Sequence, residues 1–264
     1  MAFTGIDWGR PWLSWLREVG EPLAARNDWI AAASELADRC GLVNLRAQPV
    51  VFVPQQDLPP DTPYEAHIAS TAQVPTRDNL HDFFNALVWL HFPQAKRVLN
   101  ALHAHALQQP VTRGTRGTQR DAATLFDENA ALVVSDDALR LEALREHQWK
   151  TVLMKTEREF SRHADVMLFG HALMEKLVDP YKSITAHVWT IEVTPDWFDL
   201  PVKSRIADLD GRLADQLSRG FASADFCHLP VLGVPGWWPA QDAAFYEDAD
   251  VFRPRRQPRG AARQ

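Results

Sequence analysis

Between Val74 and Asn129 the chain sets acids, amides, imidazoles and arginines against an apolar framework, in the runs VPTRDNLHDFFNALVWLHFPQAK, LNALHAHALQQP and RGTRGTQRDAATLFDEN. His81, Asp82 and Asn85 share a helical pattern whose other residues are nearly all apolar. Burying such groups without partners is costly, so each must meet another polar element or a ligand. Further along, His171 and Glu175 of FGHALMEKL are four positions apart and so share a helical face. A histidine–carboxylate pair at this spacing can ligate a metal or work as an oriented acid–base group. His81, Asp82, Asn85, His171 and Glu175 are therefore the candidate catalytic residues.

Two neighbouring pieces add binding chemistry. In RGTRGTQR, glycines permit positive φ, so successive backbone N–H groups can face an anion while arginines add bidentate charge. Arg113, Arg116 and Arg120, with Thr124 on the following helix, are candidate contacts for a phosphate or carboxylate. The spacing matches neither a Walker loop nor a dinucleotide fingerprint. In RDAATLFDEN, the carboxylates Asp121, Asp127 and Glu128 suit a hard divalent cation or an acid–base pair. The ordinary alternative for these acids is a solvated helix face neutralised by Arg116 and Arg120. The dipeptide His81-Asp82 resembles the adjacent His-Asp pair of metal phosphohydrolases, without assignable partner ligands.

Helices must position most of these groups. Leu80, Phe83, Phe84, Leu87 and Val88 form one face of a helix capped by Thr76 or Asp78 and ending near His91. Ala86 and Leu90 extend its apolar surface, which predicts burial nearly all round. Pro93 marks a break before a second helix over 94–107, and 108–118 reads as a loop. The spacing predicts a short helix over 119–128, a strand near 131–134, and one helix from Ser135 or Asp136 to Lys155. A strand over 165–169 leads into a helix over 171–178, and alternation predicts a strand over 186–193. Upstream, Trp12, Trp15, Leu16 and Val19 recur at helical spacing until Pro22, and a second helix capped by Asn27 or Asp28 stops at Gly41. PVVFVP reads as a strand, and 203–217 as a charged amphipathic helix. The fold class expected is α+β: a helix-dominated single domain with a few short strands and an irregular Pro/Gly/aromatic-rich C-terminal extension. Residues 1–47 form a Trp-rich helical arm, 48–252 the main domain and 253–264 a basic tail expected to be disordered.

Composition narrows the function classes. The net charge is −6, and five arginines in the tail leave −11 on residues 1–252, a poor general surface for nucleic acid. The tail alone could touch RNA, DNA or anionic lipid, and the Arg–Gly loop together with the tail could bind RNA. Two cysteines without paired spacing, Cys40 and Cys227, fit a reducing cytoplasm and exclude a zinc site built from several thiolates. Cys227-His228 is a weak candidate for a thiol nucleophile, because adjacent residues rarely present both groups correctly. The start lacks a signal-peptide pattern, and the longest nearly apolar run, Phe83–Phe92, is too short to span a bilayer. Ten tryptophans indicate extensive aromatic packing, with Trp12, Trp15 and the GWW segment as candidate docking points for a protein partner.

Taken together, the Val74–Lys96 run, RGTRGTQRDAATLFDEN, FGHALMEK, ITAH, LPVLGVPGWW and FYEDADVFRPRR resemble a proteobacterial family known as domain of unknown function 3025, over roughly 48–256. The resemblance implies relatives and no activity. From the residues themselves, the leading expectation is a cytoplasmic, metal-assisted hydrolase of a small phosphate- or carboxylate-bearing substrate. The alternative is a non-catalytic binding protein whose buried polar groups are structural. Convergence of His81, Asp82, Asp121, Glu128 and His171 around a cavity would favour the enzyme.

Overall fold

A computed structural model describes residues 3–107 and 115–255, apart from the side chains of 115–118. The first part of the chain forms α1 (Arg17–Ala24), α2 (Trp29–Arg39), β1 (Val51–Pro54), α3 (Tyr64–Thr71), β2 (Gln73–Thr76), α4 (Leu80–His91) and α5 (Pro93–Leu107). Next come α6 (Thr115–Asn129), β3 (Ala130–Ser135), α7 (Ala138–Arg145), α8 (Trp149–Leu153), α9 (Glu157–Ser161) and β4 (Ala164–Leu168). The remainder is α10 (His171–Lys176), β5 (Thr185–Glu192), α11 (Val202–Ser218), β6 (Cys227–Pro230) and α12 (Ala243–Tyr246). This is the α+β class expected. Among the described residues, no helix is long and apolar enough to cross a membrane.

The main sheet has the order β4-β3-β5-β6. Its central strand β3 is buried along its whole length, pairing antiparallel with β4 and parallel with β5. Helix α6 runs straight into β3, and antiparallel pairing puts the end of β4 beside that junction, with Ala131 opposite Leu168. Residues 128 and 171 are thereby neighbours although they lie far apart in sequence. A second, two-stranded sheet pairs β1 with β2 in parallel.

Helix α4 is the buried beam that its composition predicts, with every residue from Asp82 to Trp89 buried. Phe83 meets Phe3, Trp8 and Trp29, so the N-terminal residues share one core with the rest. Its cap is Asn79 and not Thr76 or Asp78: the Asn79 Oδ1 accepts from Asp82 N at 2.8 Å, while Asp78 Oδ1 accepts from the Trp29 indole. Phe92 alone separates α4 from α5, which opens on Pro93 and whose first amides are capped from a distance. Buried Asp210 of α11 accepts from Gln94 N at 3.0 Å and from Ala95 N at 2.8 Å.

Several local expectations fail for identifiable reasons. Pro22 lies inside α1 at an exposed position, and the residue whose carbonyl its missing N–H would have paired, Glu18, is exposed too. Helix α6 begins at Thr115, so Arg116 and Gly117 belong to a helix and not to an open anion-binding loop. The single helix expected to reach Lys155 breaks after Arg145. There Asp137, not Ser135 or Asp136, caps the start, and His147 takes a left-handed φ of 55° as Gln148 N closes on Ala143 O. Trp12 and Trp15 are buried instead of presented for docking: Trp12 packs on Trp237, and Trp15 on His91 and Phe92.

Candidate metal centre

Three short-range events converge where α4, α6 and α10 meet. Glu128 stands in the last turn of α6, just before β3. Phe169 N and Gly170 N both donate to Ala130 O, at 2.9 and 2.8 Å, which folds the chain back against that junction and starts α10 at His171. The approach is so close that a Cβ on Gly170 would lie 2.5 Å from Ala130 N, Asn129 N and Glu128 O. From the other side, His81 in the first turn of α4 faces α10.

The resulting geometry is tight. His81 Nε2 and His171 Nε2 are 3.0 Å apart, and Glu128 Oε2 is 3.6 Å from the latter and 4.0 Å from the former. Among the described residues, this is the trio of His, Cys, Asp or Glu side chains close enough to share an ion, all ligand atoms lying within 4.8 Å of one another. A tetrahedral ion with bonds of about 2.05 Å has ligand–ligand edges of roughly 3.3 Å, within the range spanned here. Glu175, one turn beyond His171, places Oε2 3.0 Å from His81 Nδ1. A Glu175 carboxylate accepting from Nδ1–H would leave the His81 Nε2 lone pair directed at the cluster, the usual second contact of a metal-binding imidazole.

Burial makes the acid–base character of the cluster uneven. The His171 imidazole is pushed down to about 4, chiefly by burial and against the pull of Asp127, so it is neutral at pH 7 and offers a lone pair. Burial and the neighbouring Asp127 raise the Glu128 carboxyl, while His81 opposes the shift. Asp127 itself points inward. Burial works to raise it, but the Lys96 ammonium, 2.6 Å from Oδ1, prevails and holds it below the ordinary carboxylate range. Lys96 also donates to Asn85 Oδ1 at 2.8 Å, and Asn85 Nδ2 donates to the Tyr64 hydroxyl at 3.3 Å.

The cluster opens into a cavity of about 480 Å³ lined also by Gln55, Tyr64, Glu65 and Arg77. Asp82 belongs to its wall but is not free for a metal. Both of its oxygens are taken by Arg77, through N and Nε to Oδ2 and through a terminal nitrogen to Oδ1 at 2.8 Å. Its part is to hold a guanidinium at the cavity, not to form a phosphohydrolase-like pair with His81. Glu65 accepts from Asn100 Nδ2 at 2.6 Å, and burial with the nearby Asp127 raises its carboxyl.

The structure thus gathers His81, Asp82, Asn85, His171 and Glu175 with Asp127 and Glu128. It does not gather Asp121, Arg120 and Thr124, which are exposed on α6. Asp121 lies seven residues before Glu128, about 10.5 Å along the helix axis. Arg113 and the side chain of Arg116 lie outside the described residues. The sequence reading missed Arg77, Lys96, Tyr64 and Glu65. Lys96 carried a signal, since with Leu99, Asn100 and His103 it falls on the buried stripe of α5, where a lysine demands a partner.

The family described as "Protein of unknown function (DUF3025)" matches residues 50–256. No curated protein and no solved structure matches the chain.

Proposed function

Since the chain belongs to the DUF3025 family, whose description assigns no activity, we propose from its own side chains that it is a cytoplasmic, divalent-metal-dependent hydrolase of small anionic substrates. The observation that carries this reading is the convergence of two imidazole Nε2 atoms and one carboxylate at the wall of a polar cavity. Two histidines and one carboxylate are a ligand set of catalytic zinc, which keeps a further position for water. The bound ion would supply a nucleophile by lowering the pKa of that water.

The remaining residues have definable tasks. Glu175 fixes the tautomer of His81. The Lys96–Asp127 pair and Asn85 brace the cavity wall behind the ligands. Arg77, oriented by Asp82, is the group at the cavity that receives the substrate's phosphate or carboxylate, since a guanidinium presents more donors than Asp82 consumes. Glu65, whose carboxyl is raised by burial and by Asp127, is the acid placed to hand a proton to the leaving group.

The test is competition dialysis of Zn²⁺ and Mn²⁺, with the visible spectrum of the Co²⁺ form as a report on geometry. Wild type should bind one ion, and His171→Ala, His81→Ala and Glu128→Gln should each weaken binding at least tenfold while retaining the fold. The zinc form should hydrolyse p-nitrophenyl phosphate or p-nitrophenyl acetate in a His171-dependent manner. Wild-type protein that takes up no stoichiometric ion would overturn the metal centre. Metal binding without hydrolysis of either probe would overturn the assignment to these ester classes.

A further inference from the structure

Where β5 pairs with β6 lies a second cavity of about 760 Å³, separate in its lining from the candidate metal centre. Its chemistry is unlike the rest of this acidic chain. Arg145 at the end of α7, Arg219 after α11 and Arg255 after α12 reach it from three separate stretches, with Asp225 the one acid among the lining residues. His147 and His228 add two imidazoles, their ring centroids 6.4 Å apart. The floor is aromatic: Trp189 and Phe226 line it with centroids 5.9 Å apart, and Phe221 backs both.

The walls are fixed. Trp189 donates its indole N–H to Gln216 at 2.6 Å, which holds the ring in place. Trp149 donates to Arg253 O at 2.8 Å, anchoring the segment that delivers Arg255. Arg145, Arg219 and Arg255 pair with Glu142, Asp215 and Glu146 respectively, all at the exposed rim. Such solvated pairs contribute little, and each guanidinium keeps donors that a phosphate can engage bidentately. Cys227 also lines the cavity, but burial pushes its thiol up to about 11, which argues against the thiolate nucleophile that Cys227-His228 suggested.

An aromatic floor of two rings inclined at 65°, ringed by three arginines, selects a ligand with both a flat ring and several negative charges. The cavity has the size typical of small-molecule sites. We propose that this cavity binds a nucleotide, its base against Trp189 and Phe226 and its phosphates among Arg145, Arg219 and Arg255. This site is independent of the candidate metal centre.

The experiment is calorimetric titration of the full chain with ADP, adenosine and inorganic pyrophosphate. It is run in wild type and in His171→Ala, so that phosphate held at the metal centre is not counted. Saturable ADP binding should survive His171→Ala and fall at least tenfold in Arg145→Ala/Arg219→Ala and in Trp189→Ala. Adenosine and pyrophosphate should each bind at least tenfold more weakly than ADP. Thermal melting should show both variants folded; if Trp189→Ala is not, Trp189→Leu takes its place. Absence of saturation by ADP at about 1 mM, where binding is worth only ~4 kcal/mol, would overturn the proposal. So would pyrophosphate binding as tightly as ADP, or ADP binding indifferent to the double arginine variant.

Discussion

Replacing Gly170 by alanine isolates the contact on which the candidate metal centre depends. Gly170 has φ −62° and ψ 116°, a conformation open to any L-residue, so the substitution carries no backbone strain of its own. Its cost is steric. The new Cβ would sit 2.5 Å from three backbone atoms at the α6–β3 junction, whereas relaxed contacts of this kind need about 3.5 Å. Backbone cannot swing aside as a side chain can, so β4 and α10 must withdraw by about 1 Å, at a cost near the upper end of the 1–3 kcal/mol typical of overpacking. The same withdrawal would stretch the 3.6 Å separation of His171 Nε2 and Glu128 Oε2. Zinc affinity should then fall roughly ten- to hundredfold, as when supporting contacts of a metal site are lost. Gly211→Ala is the control: mid-helix in α11, with nothing nearer to the new Cβ than Gln94 Nε2 at 4.0 Å, it should gain about 0.5–1 kcal/mol. Urea unfolding and competition with a chromogenic chelator measure both quantities. A Gly170→Ala protein within 0.5 kcal/mol of wild type that binds zinc normally would refute the reasoning.

Three further outcomes follow from the same contacts. Lys96→Met strands Asp127 as an unpaired buried charge and should cost about 3–5 kcal/mol in denaturant unfolding, with Asp127→Asn in the same chain recovering part of it. Acidification should weaken the fold through His187. Asn129 Nδ2 donates to its Nδ1 at 3.0 Å, which requires the neutral ring, and burial, aided by His228, pushes the group down to about 4. Between pH 6.5 and about 4 the unfolded chain takes up a proton that the folded chain refuses, so stability falls as the pH falls, by about 1–2 kcal/mol once the solvent screening of this half-buried ring is allowed for. A His187→Gln chain should show a shallower dependence in that window, and identical slopes would dismiss the account. Finally, Asp121→Asn, Arg120→Ala and Thr124→Ala should leave zinc affinity unchanged within twofold in the dialysis assay.

Local sequence determined a good part of this protein. The near-continuous apolar surface of Leu80–Leu90 required a buried helix, and the polar residues on it were marked by their cost of burial. The spacing of His171 and Glu175 placed both on α10, facing the same way. What periodicity could not supply was the partner across space. Whether Glu128 or Asp121 would meet His171 depended on the antiparallel register of β3 with β4, set by pairing between distant segments. Lys96 and Glu65 were legible only as polar residues on helical stripes, because the groups that neutralise them come from other elements. Arg77 gave no signal at all, since its role rests on the orientation Asp82 imposes from the next turn. Sequence thus named the helices that carry the site and most of its chemistry. The tertiary structure chose which carboxylates face the imidazoles, because the sheet register and one close backbone contact, not local spacing, bring α4, α6 and α10 to a single point.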